Sequence, residues 1–234
     1  MQGKLYLIPN HLGNPQTGIT IPPDVAQITC KLEYYIVENL RTARRYLKLL
    51  DKKKNIDNAT FYLMDKHADA GEYIKFLEPI EKGYDVGIIS EAGCPGVADP
   101  GAEIVKIAHR KNIEVVPLTG PSSLLLALMA SGLNGQNFAF NGYLPINKNE
   151  RAKTIKQLEN KSIKEDQTQI FIEAPYRNMA MVKEILKQCH PTTLLCIACD
   201  LTLPEEFVLT LPVSDWKNQL PDLHKKPAIF LVQG

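Results

Sequence analysis

The stretch Ser90–Glu103, SEAGCPGVADPGAE, decides how this chain folds. An apolar run, Val86–Ile89, leads into it, and a helical pattern, Ile104–Arg110, leads out of it. Its glycines allow backbone groups to approach a ligand closely, and its prolines hold the loop in shape. It matches neither the phosphate loop G-x-x-x-x-G-K-[ST] nor the dinucleotide fingerprint G-x-G-x-x-G. We therefore expect a strand-loop-helix unit whose loop is either a ligand contact or a stiff structural turn.

Outward from this loop, short β-rich runs alternate with helical segments such as Glu72–Gly83, which predicts βαβ units and a parallel sheet. After residue 118 the late strands follow one another closely, which indicates a mixed sheet. We therefore predict two α/β domains, 1–118 and 119–234. The predicted strands are Lys4–Ile8, Tyr34–Glu38, Thr60–Met64, Asp85–Ser90, Ile113–Leu118, Phe138–Tyr143, Gln169–Ala174, Thr193–Leu201, Glu206–Leu211 and Ala228–Gln233.

Composition limits the class of protein. The chain has 234 residues, of which 44% are hydrophobic and 23% charged, as in ordinary globular proteins. We expect no signal peptide and no membrane span, hence a cytoplasmic protein. The formal net charge is +1, so the global charge does not predict a nucleic-acid partner. Cys196 and Cys199 form a C-x-x-C pattern inside a predicted strand, where they would face opposite sides, so buried cysteines are favoured over a metal or redox site.

Two further Gly/Pro loops follow predicted strands: Ile8–Pro15 (IPNHLGNP) and Leu118–Ser123 (LTGPSS). Ligands of parallel sheets bind outside the carboxyl ends of the strands. We therefore expect these loops to line one ligand cleft together with Ser90–Glu103.

The order of LYLIPNHLGN, VENLR, SEAGCPGVADPG, LTGPSSLLLALMASGL, FNGYLP, FIEAPYR and ACDLTLPEE resembles the tetrapyrrole methylase superfamily. Within it, the sequence is most similar to the ribosomal RNA small subunit methyltransferase I family. That resemblance implies two α/β domains, a homodimer, and transfer of a methyl group from S-adenosylmethionine to a ribose 2′-hydroxyl of small-subunit rRNA. The methyl is already activated by the sulfonium, so we expect no metal.

The sequence departs from the family pattern at three places. The family usually reads S-D-A-G-T-P-G where this chain has Glu91 and Cys94, and E-D-T-R where it has Glu38–Arg41 (ENLR). It usually reads V-A-T-P-I-G-N where this chain has Leu7–Asn14 (LIPNHLGN). The Gly/Pro skeleton remains, so the resemblance still implies binding of the methyl donor, and the ENLR change bears on the substrate.

By position in these motifs, the resemblance implies a set of donor contacts. Ser122 and Ser123, at a predicted helix start, could hold a carboxylate, or Ser122 could simply cap the helix. Plain core packing is the alternative for the contacts from the second domain. The expected contacts are Leu12, Gly93, Cys94, Gly96, Val97, Ser122, Ser123, Ile172, Ala198 and Pro227.

A ribose hydroxyl is a poor nucleophile, so a nearby base would help to remove its proton. Glu38 and Glu173 lie at the ends of predicted strands and His67 follows one, although such residues are often merely solvated. Arg177 follows Glu173 by four residues and suits a phosphate contact or an ion pair.

A basic stripe lies on the helix after Glu38. Apolar residues occupy its opposite face, so the stripe is either a solvated face or a site for phosphates. Its members are Arg41, Arg44, Arg45, Lys48 and Lys52.

The sequence thus favours an S-adenosylmethionine-dependent methyltransferase acting on rRNA. Two alternatives remain: a tetrapyrrole (precorrin-type) methyltransferase, and a non-catalytic S-adenosylmethionine-binding factor in ribosome assembly.

Overall fold

A computed structural model describes residues 2–13, 20–64 and 70–234 of the chain. The chain forms two compact units, Met1–Ser122 and Ser123–Gly234, and each contains one five-stranded sheet. The predicted boundary after residue 118, and the division of labour between the two domains, stay predictions.

The first unit alternates strands and helices. Its sheet is parallel throughout, with strand order β3-β2-β4-β1-β5, which confirms the predicted βαβ architecture. The elements are β1 (Leu5–Ile8), α1 (Pro23–Lys31), β2 (Tyr34–Val37), α2 (Leu40–Leu50), β3 (Thr60–Leu63), α3 (Ala70–Phe76), α4 (Glu78–Glu81), β4 (Val86–Ile89), α5 (Gly101–Arg110) and β5 (Val115–Pro117).

This sheet is buried on both faces. All four residues of β4 are buried, and Ile88 and Ile89 join separate hydrophobic clusters. Alternate residues of a strand point to opposite faces, so an uninterrupted apolar run such as VGII fits a strand covered on both sides.

The prediction of one continuous helix over Glu72–Gly83 is wrong. The structure has two helices, with Leu77 between α3 and α4. Pro79 sits at the start of the second helix; a proline has no backbone N–H and crowds the preceding turn, so one unbroken helix is disfavoured.

The second unit has a mixed sheet, as predicted. β6 and β7 are parallel, whereas β10 is antiparallel to β7 and β8, and β9 is antiparallel to β8. The elements are α6 (Ser123–Ser131), β6 (Phe138–Tyr143), α7 (Lys148–Glu165), β7 (Thr168–Ile172), α8 (Asn178–Gln188), β8 (Leu194–Cys199), β9 (Phe207–Pro212) and β10 (Ala228–Gln233), and the sheet order is β6-β7-β10-β8-β9.

The C-x-x-C cysteines lie in β8 and are both buried. Cys196 joins one hydrophobic cluster and Cys199 another, so they face opposite sides of the sheet as predicted. Burial raises the pKa of the Cys199 thiol to about 11, so it stays protonated at neutral pH. Both cysteines are therefore residues of the hydrophobic core.

Candidate active site

The carboxyl ends of β4, β1 and β5 are neighbours in the parallel sheet. The connection after β1 runs toward β2, whereas the connection after β4 runs the other way, to β5. Such a reversal opens a crevice at the carboxyl ends of the strands. Three loops meet at this edge, and we name them the β1 loop (residues 9–13), the β4 loop (residues 90–100) and the β5 loop (residues 118–122).

Asn10 joins the β1 loop to the β4 loop. Its backbone exchanges two hydrogen bonds with Gly93, of 2.9 and 3.1 Å. Its side-chain Nδ2 donates to the carbonyls of Ser90 (2.9 Å) and Glu91 (3.3 Å), and its Oδ1 accepts from the His11 backbone N–H at 2.8 Å. Asn10 is only 7% exposed. This residue was not predicted from the sequence, although an amide two residues after β1 was the available signal.

The β5 loop packs against both other loops. The Cys94 thiol donates to the Pro121 carbonyl at 3.4 Å. Gly120 lies so close to the β1 loop that an added Cβ would stand 2.2 Å from Pro9 Cγ. Close backbone approach therefore requires glycine at this position.

The β4 loop is also braced from within. Gly96 and Ala98 have positive φ angles of 80° and 61°. Asp99 Oδ1 accepts hydrogen bonds from the backbone N–H groups of Gly96 and Gly101, each at 2.8 Å. Burial raises the pKa of Asp99, and these two N–H groups oppose that shift. The loop therefore keeps its shape through its own hydrogen bonds.

The predicted donor contacts of the first unit all belong to these loops. Val97 is 48% exposed, and burial raises the pKa of the half-buried Cys94 thiol, which leaves it neutral. Among the described residues, a Cβ on Gly96 would meet only Ala102 N within 4 Å, at 3.9 Å, so a methyl-sized group fits beside that glycine. The residues are Leu12, Gly93, Cys94, Gly96, Val97 and Ser122.

The predicted donor contacts of the second unit are placed differently. Ile172 and Ala198 both pair with Ile229 of β10, so they form one row across three strands. Ala198 is 1% exposed and belongs to the core. Ser123 begins α6, and exposed Pro227 lies just before β10, where its carbonyl accepts from the Asp200 backbone N–H.

The three predicted bases have different surroundings. Glu38 is half-buried at the end of β2, at the same sheet edge as the three loops. Glu173 follows β7 in the second unit, and its side chain is 1% exposed. Its Oε1 accepts hydrogen bonds from Arg177 Nε (3.0 Å) and Nη2 (2.6 Å), whereas its buried Oε2 has no hydrogen-bond partner within the described part of the chain. His67 lies outside the described residues.

Two of the three segments that depart from the family pattern lie close together, because Thr42, the residue after ENLR, contacts the β4 loop. The Thr42 hydroxyl, in the first turn of α2, donates to Glu91 Oε1 of the β4 loop at 2.5 Å. Asn39 caps α2 by accepting from the backbone N–H groups of Arg41 (2.9 Å) and Thr42 (3.3 Å). The ENLR segment therefore still caps α2. Glu91 places a carboxylate at this edge, and no role for that carboxylate was predicted from the sequence.

His11 is a second residue that the sequence analysis did not assign. Its Nδ1 lies 2.8 Å from the Thr20 hydroxyl, and its ring packs edge-on against Tyr46 at 5.5 Å. Among the residues that the structure describes, its buried Nε2 has no hydrogen-bond partner. Burial lowers the pKa of this imidazole, so it is neutral at neutral pH.

The basic stripe is exposed, while Ala43, Tyr46 and Leu47 of α2 are buried. Arg44 lies over the ring of Phe61, 5.5 Å from its centroid. Within the described part of the chain, no carboxylate lies within 4.0 Å of the stripe's charged nitrogens. Because α2 runs back from the carboxyl end of β2, with a rise of about 1.5 Å per residue, only Arg41 lies at the edge of the loops.

Metal and membrane features were sought in the described residues alone. Among them, no group of three or more His, Cys, Asp and Glu side chains could hold a metal ion. No helix within residues 2–13, 20–64 and 70–234 is long and apolar enough to cross a membrane.

Comparison with known proteins agrees with this architecture. Ribosomal RNA small subunit methyltransferase I of Escherichia coli O157:H7 is 28% identical over 239 residues, which cover 100% of this chain and 78% of that protein. The protein of the same name from Synechocystis sp. is 32% identical over 200 residues, covering 86% of this chain and 67% of that protein.

A solved structure, that of the methyltransferase CobJ, shares the fold with a TM-score of 0.66. It is 16% identical and covers 99% of this chain and 94% of its own. The family model described as Tetrapyrrole (Corrin/Porphyrin) Methylases matches residues 30–216. Since that match spans most of the sequence, the chain belongs to the tetrapyrrole methylase family.

Proposed function

We propose that this methyltransferase uses S-adenosylmethionine to methylate a ribose 2′-hydroxyl of small-subunit rRNA. The observation that carries the proposal is the interlocked set of three Gly/Pro loops at the carboxyl edge of the parallel sheet. The names of the similar proteins from Escherichia coli and Synechocystis support the RNA substrate.

The residues present fit such a donor. A methyl-sized group fits beside Gly96, and the β4 and β5 loops offer backbone carbonyls and N–H groups to a zwitterionic ligand. Asn10 and Asp99 hold those groups in place, so little ordering is needed on binding. A bound S-adenosylmethionine supplies a methyl group that its sulfonium already activates.

We assign the remaining chemistry to the chain's own side chains. The loops orient the reactants and exclude water, which is the larger part of catalysis for an activated donor. Glu38, at the same sheet edge, would accept the hydroxyl proton as the ribose oxygen takes the methyl group. His67 stays a candidate for this role by its position in the sequence.

The function is tested by incubating the protein with a donor carrying a tritiated methyl group. Small-subunit rRNA, assembled small ribosomal subunits and a tetrapyrrole precursor are offered separately. We expect label in RNA, at a bond that resists alkaline hydrolysis because its 2′-oxygen is blocked. Label in the tetrapyrrole would favour the precorrin-type alternative, and donor binding without any transfer would favour the assembly factor.

We also propose a cytoplasmic homodimer. The family resemblance supports the dimer, and an rRNA substrate fits the cytoplasm. A dimer would have about twice the chain mass of 26.2 kDa, and light scattering measures it.

The basic stripe should guide RNA phosphates toward the site. Arg44→Ala combined with Arg45→Ala removes two exposed cations, so RNA affinity should fall while donor affinity stays unchanged. Each lost phosphate contact should reduce the slope of log K against log salt by about 0.7–0.9. Fluorescence anisotropy with an rRNA fragment across a salt series measures both quantities.

The matched control is Lys106→Ala combined with Arg110→Ala, two exposed cations on α5. This control should leave the salt slope at the value of the parent. Equal slopes for the parent and the stripe variant would show that the stripe is only a solvated helix face.

A further inference from the structure

Two exposed tyrosines lie at the same edge of the second sheet. Tyr143 ends β6 and is 61% exposed, and Tyr176, in the short turn after β7, is 66% exposed. β6 and β7 are parallel neighbours, with Tyr143 opposite Ile172. Both tyrosines therefore lie at the carboxyl edge, which is where α/β proteins place their ligands.

A β-bulge precedes Tyr143. The register between β6 and β7 shifts between Phe140 and Tyr143, and Gly142 has a φ of +62°. Asn141 fixes the bulge by donating to the carbonyls of Ala139 (3.2 Å) and Ile170 (3.3 Å). Bulges of this kind re-aim the side chains beside them and are frequent next to functional sites. The exposure of the Tyr143 ring is thus built into the strand.

The guanidinium of Arg177 is held against the ring of Tyr176. The Arg177 guanidinium carbon lies 5.4 Å from the centroid of the Tyr176 ring. Two nitrogens of the same guanidinium donate to Glu173 Oε1, which also accepts from the Ala174 backbone N–H at 2.7 Å. Arg177 is therefore held against the ring, while most of the ring surface remains open to solvent.

A second cation lies at this edge. Arg151, in the first turn of α7, donates to the Ile146 carbonyl at 3.1 Å. Within the described residues, no carboxylate lies within 4.0 Å of its guanidinium nitrogens. Glu173 balances the charge of Arg177, so Arg151 supplies the net positive charge of this edge. Exposed aromatic rings beside positive charge are a combination that proteins use to bind single-stranded nucleic acid.

We propose that Tyr143 and Tyr176 stack on unpaired bases of the RNA substrate. Arg177 is the fixed support of the second ring, and Glu173 is a positioning residue for Arg177. The 1% exposure of the Glu173 side chain and its two hydrogen bonds to Arg177 argue against Glu173 as the acceptor of the ribose proton. This inference rests on the proposed RNA substrate and adds how that RNA is held.

The test uses the full chain and a labelled single-stranded rRNA fragment. Tyr143→Ala and Tyr176→Ala should each weaken RNA binding roughly 5- to 150-fold, the effect of losing one stacked base. Tyr176→Phe keeps the ring and should recover most of the affinity lost in Tyr176→Ala. Tyr84→Ala is the matched control, because Tyr84 is 49% exposed but belongs to the first unit, where it lies at the amino end of β4.

Two results would overturn the stacking role. One is RNA affinity equal to that of the parent in both alanine variants. The other is a change of molar mass in light scattering that accounts for the loss of RNA binding, since this edge would then join two copies of the chain. The parent's own RNA methylation tests the proposed function separately, so failure of the function and failure of the stacking platform are distinguishable.

Glu173→Gln separates positioning from proton transfer. Glutamine can still accept a hydrogen bond from Arg177, so a positioning role predicts a higher KM for RNA and a kcat that falls less than tenfold. The pH profile of kcat should keep its shape. A loss of kcat of about 100-fold or more with KM unchanged would instead identify Glu173 as the base.

Discussion

Gly120→Ala should lower kcat about 100-fold and weaken donor binding, because the added Cβ would stand 2.2 and 2.3 Å from Pro9 Cγ and Cβ. Real Cβ atoms do not approach other atoms so closely, so the β5 loop and the β1 loop must separate. Pro9 cannot swing away as a flexible side chain could, because its ring is part of the backbone. A displacement of about 1 Å near a site that aligns two reactants is enough for this loss.

The comparison needs two further glycine variants. A Cβ on Gly135 would meet no atom of residues 2–13, 20–64 or 70–234 within 4 Å, so Gly135→Ala is the matched control and should behave as the parent. Gly96→Ala meets no close atom but has a φ of +80°, so it should cost only the conformational strain of about 1–2 kcal/mol. Calorimetry with the donor and single-turnover methylation measure the effects. Parent-like values in a folded Gly120→Ala protein would remove the contact between these loops from the site.

Asn10→Asp should destabilise the first unit by about 3–5 kcal/mol at neutral pH and abolish donor binding. The substitution replaces an amide that donates to the Ser90 and Glu91 carbonyls with a carboxylate that faces them. An unpaired charge at a site only 7% exposed carries a cost of this order. Asn10→Ala, which only removes the donor and leaves buried carbonyls without it, should cost about 1–3 kcal/mol.

The pH dependence of Asn10→Asp follows from the same burial. The new carboxyl group would have a folded-state pKa above its unfolded value of about 3.9, because burial disfavours its charged form. Its penalty should therefore be absent below the unfolded pKa and grow as pH rises toward the folded pKa. Urea unfolding at pH 4 and pH 7 should show a smaller difference from the parent at pH 4. A difference independent of pH would indicate that lost packing, and not charge, is responsible.

The positions of the strands, and the parallel or mixed character of each sheet, could be predicted from the local sequence. The run VGII and the late strand TLLCIACDL were recognisable because burial on both faces requires continuous apolar residues. The Gly/Pro content of residues 90–103 marked the loop for a similar reason, since positive φ angles such as that of Gly96 favour glycine. The sequence did not predict the break at Leu77, because the helical spacing of apolar residues continues across Pro79 and outweighed the effect of the proline.

The partners within the site did not follow from the sequence. Asn10 contacts Ser90 and Glu91 across about eighty residues, and Thr42 meets Glu91 across 49. Side-chain periodicity describes one element at a time, so it contains no information on which loops become neighbours. That depends on the strand order, which brings β1 between β4 and β5.

By itself, the sequence determined the two sheets with their connecting helices, the Gly/Pro loops and the family. The reason is that the type of each strand and the chemistry of each loop depend on nearby residues. The tertiary structure alone decided that Asn10 joins two loops and that Gly120 must lack a side chain. It also decided that Glu173 holds Arg177 beneath an exposed tyrosine. Each of these depends on the distance between residues of different elements, and that distance is set by packing within each unit.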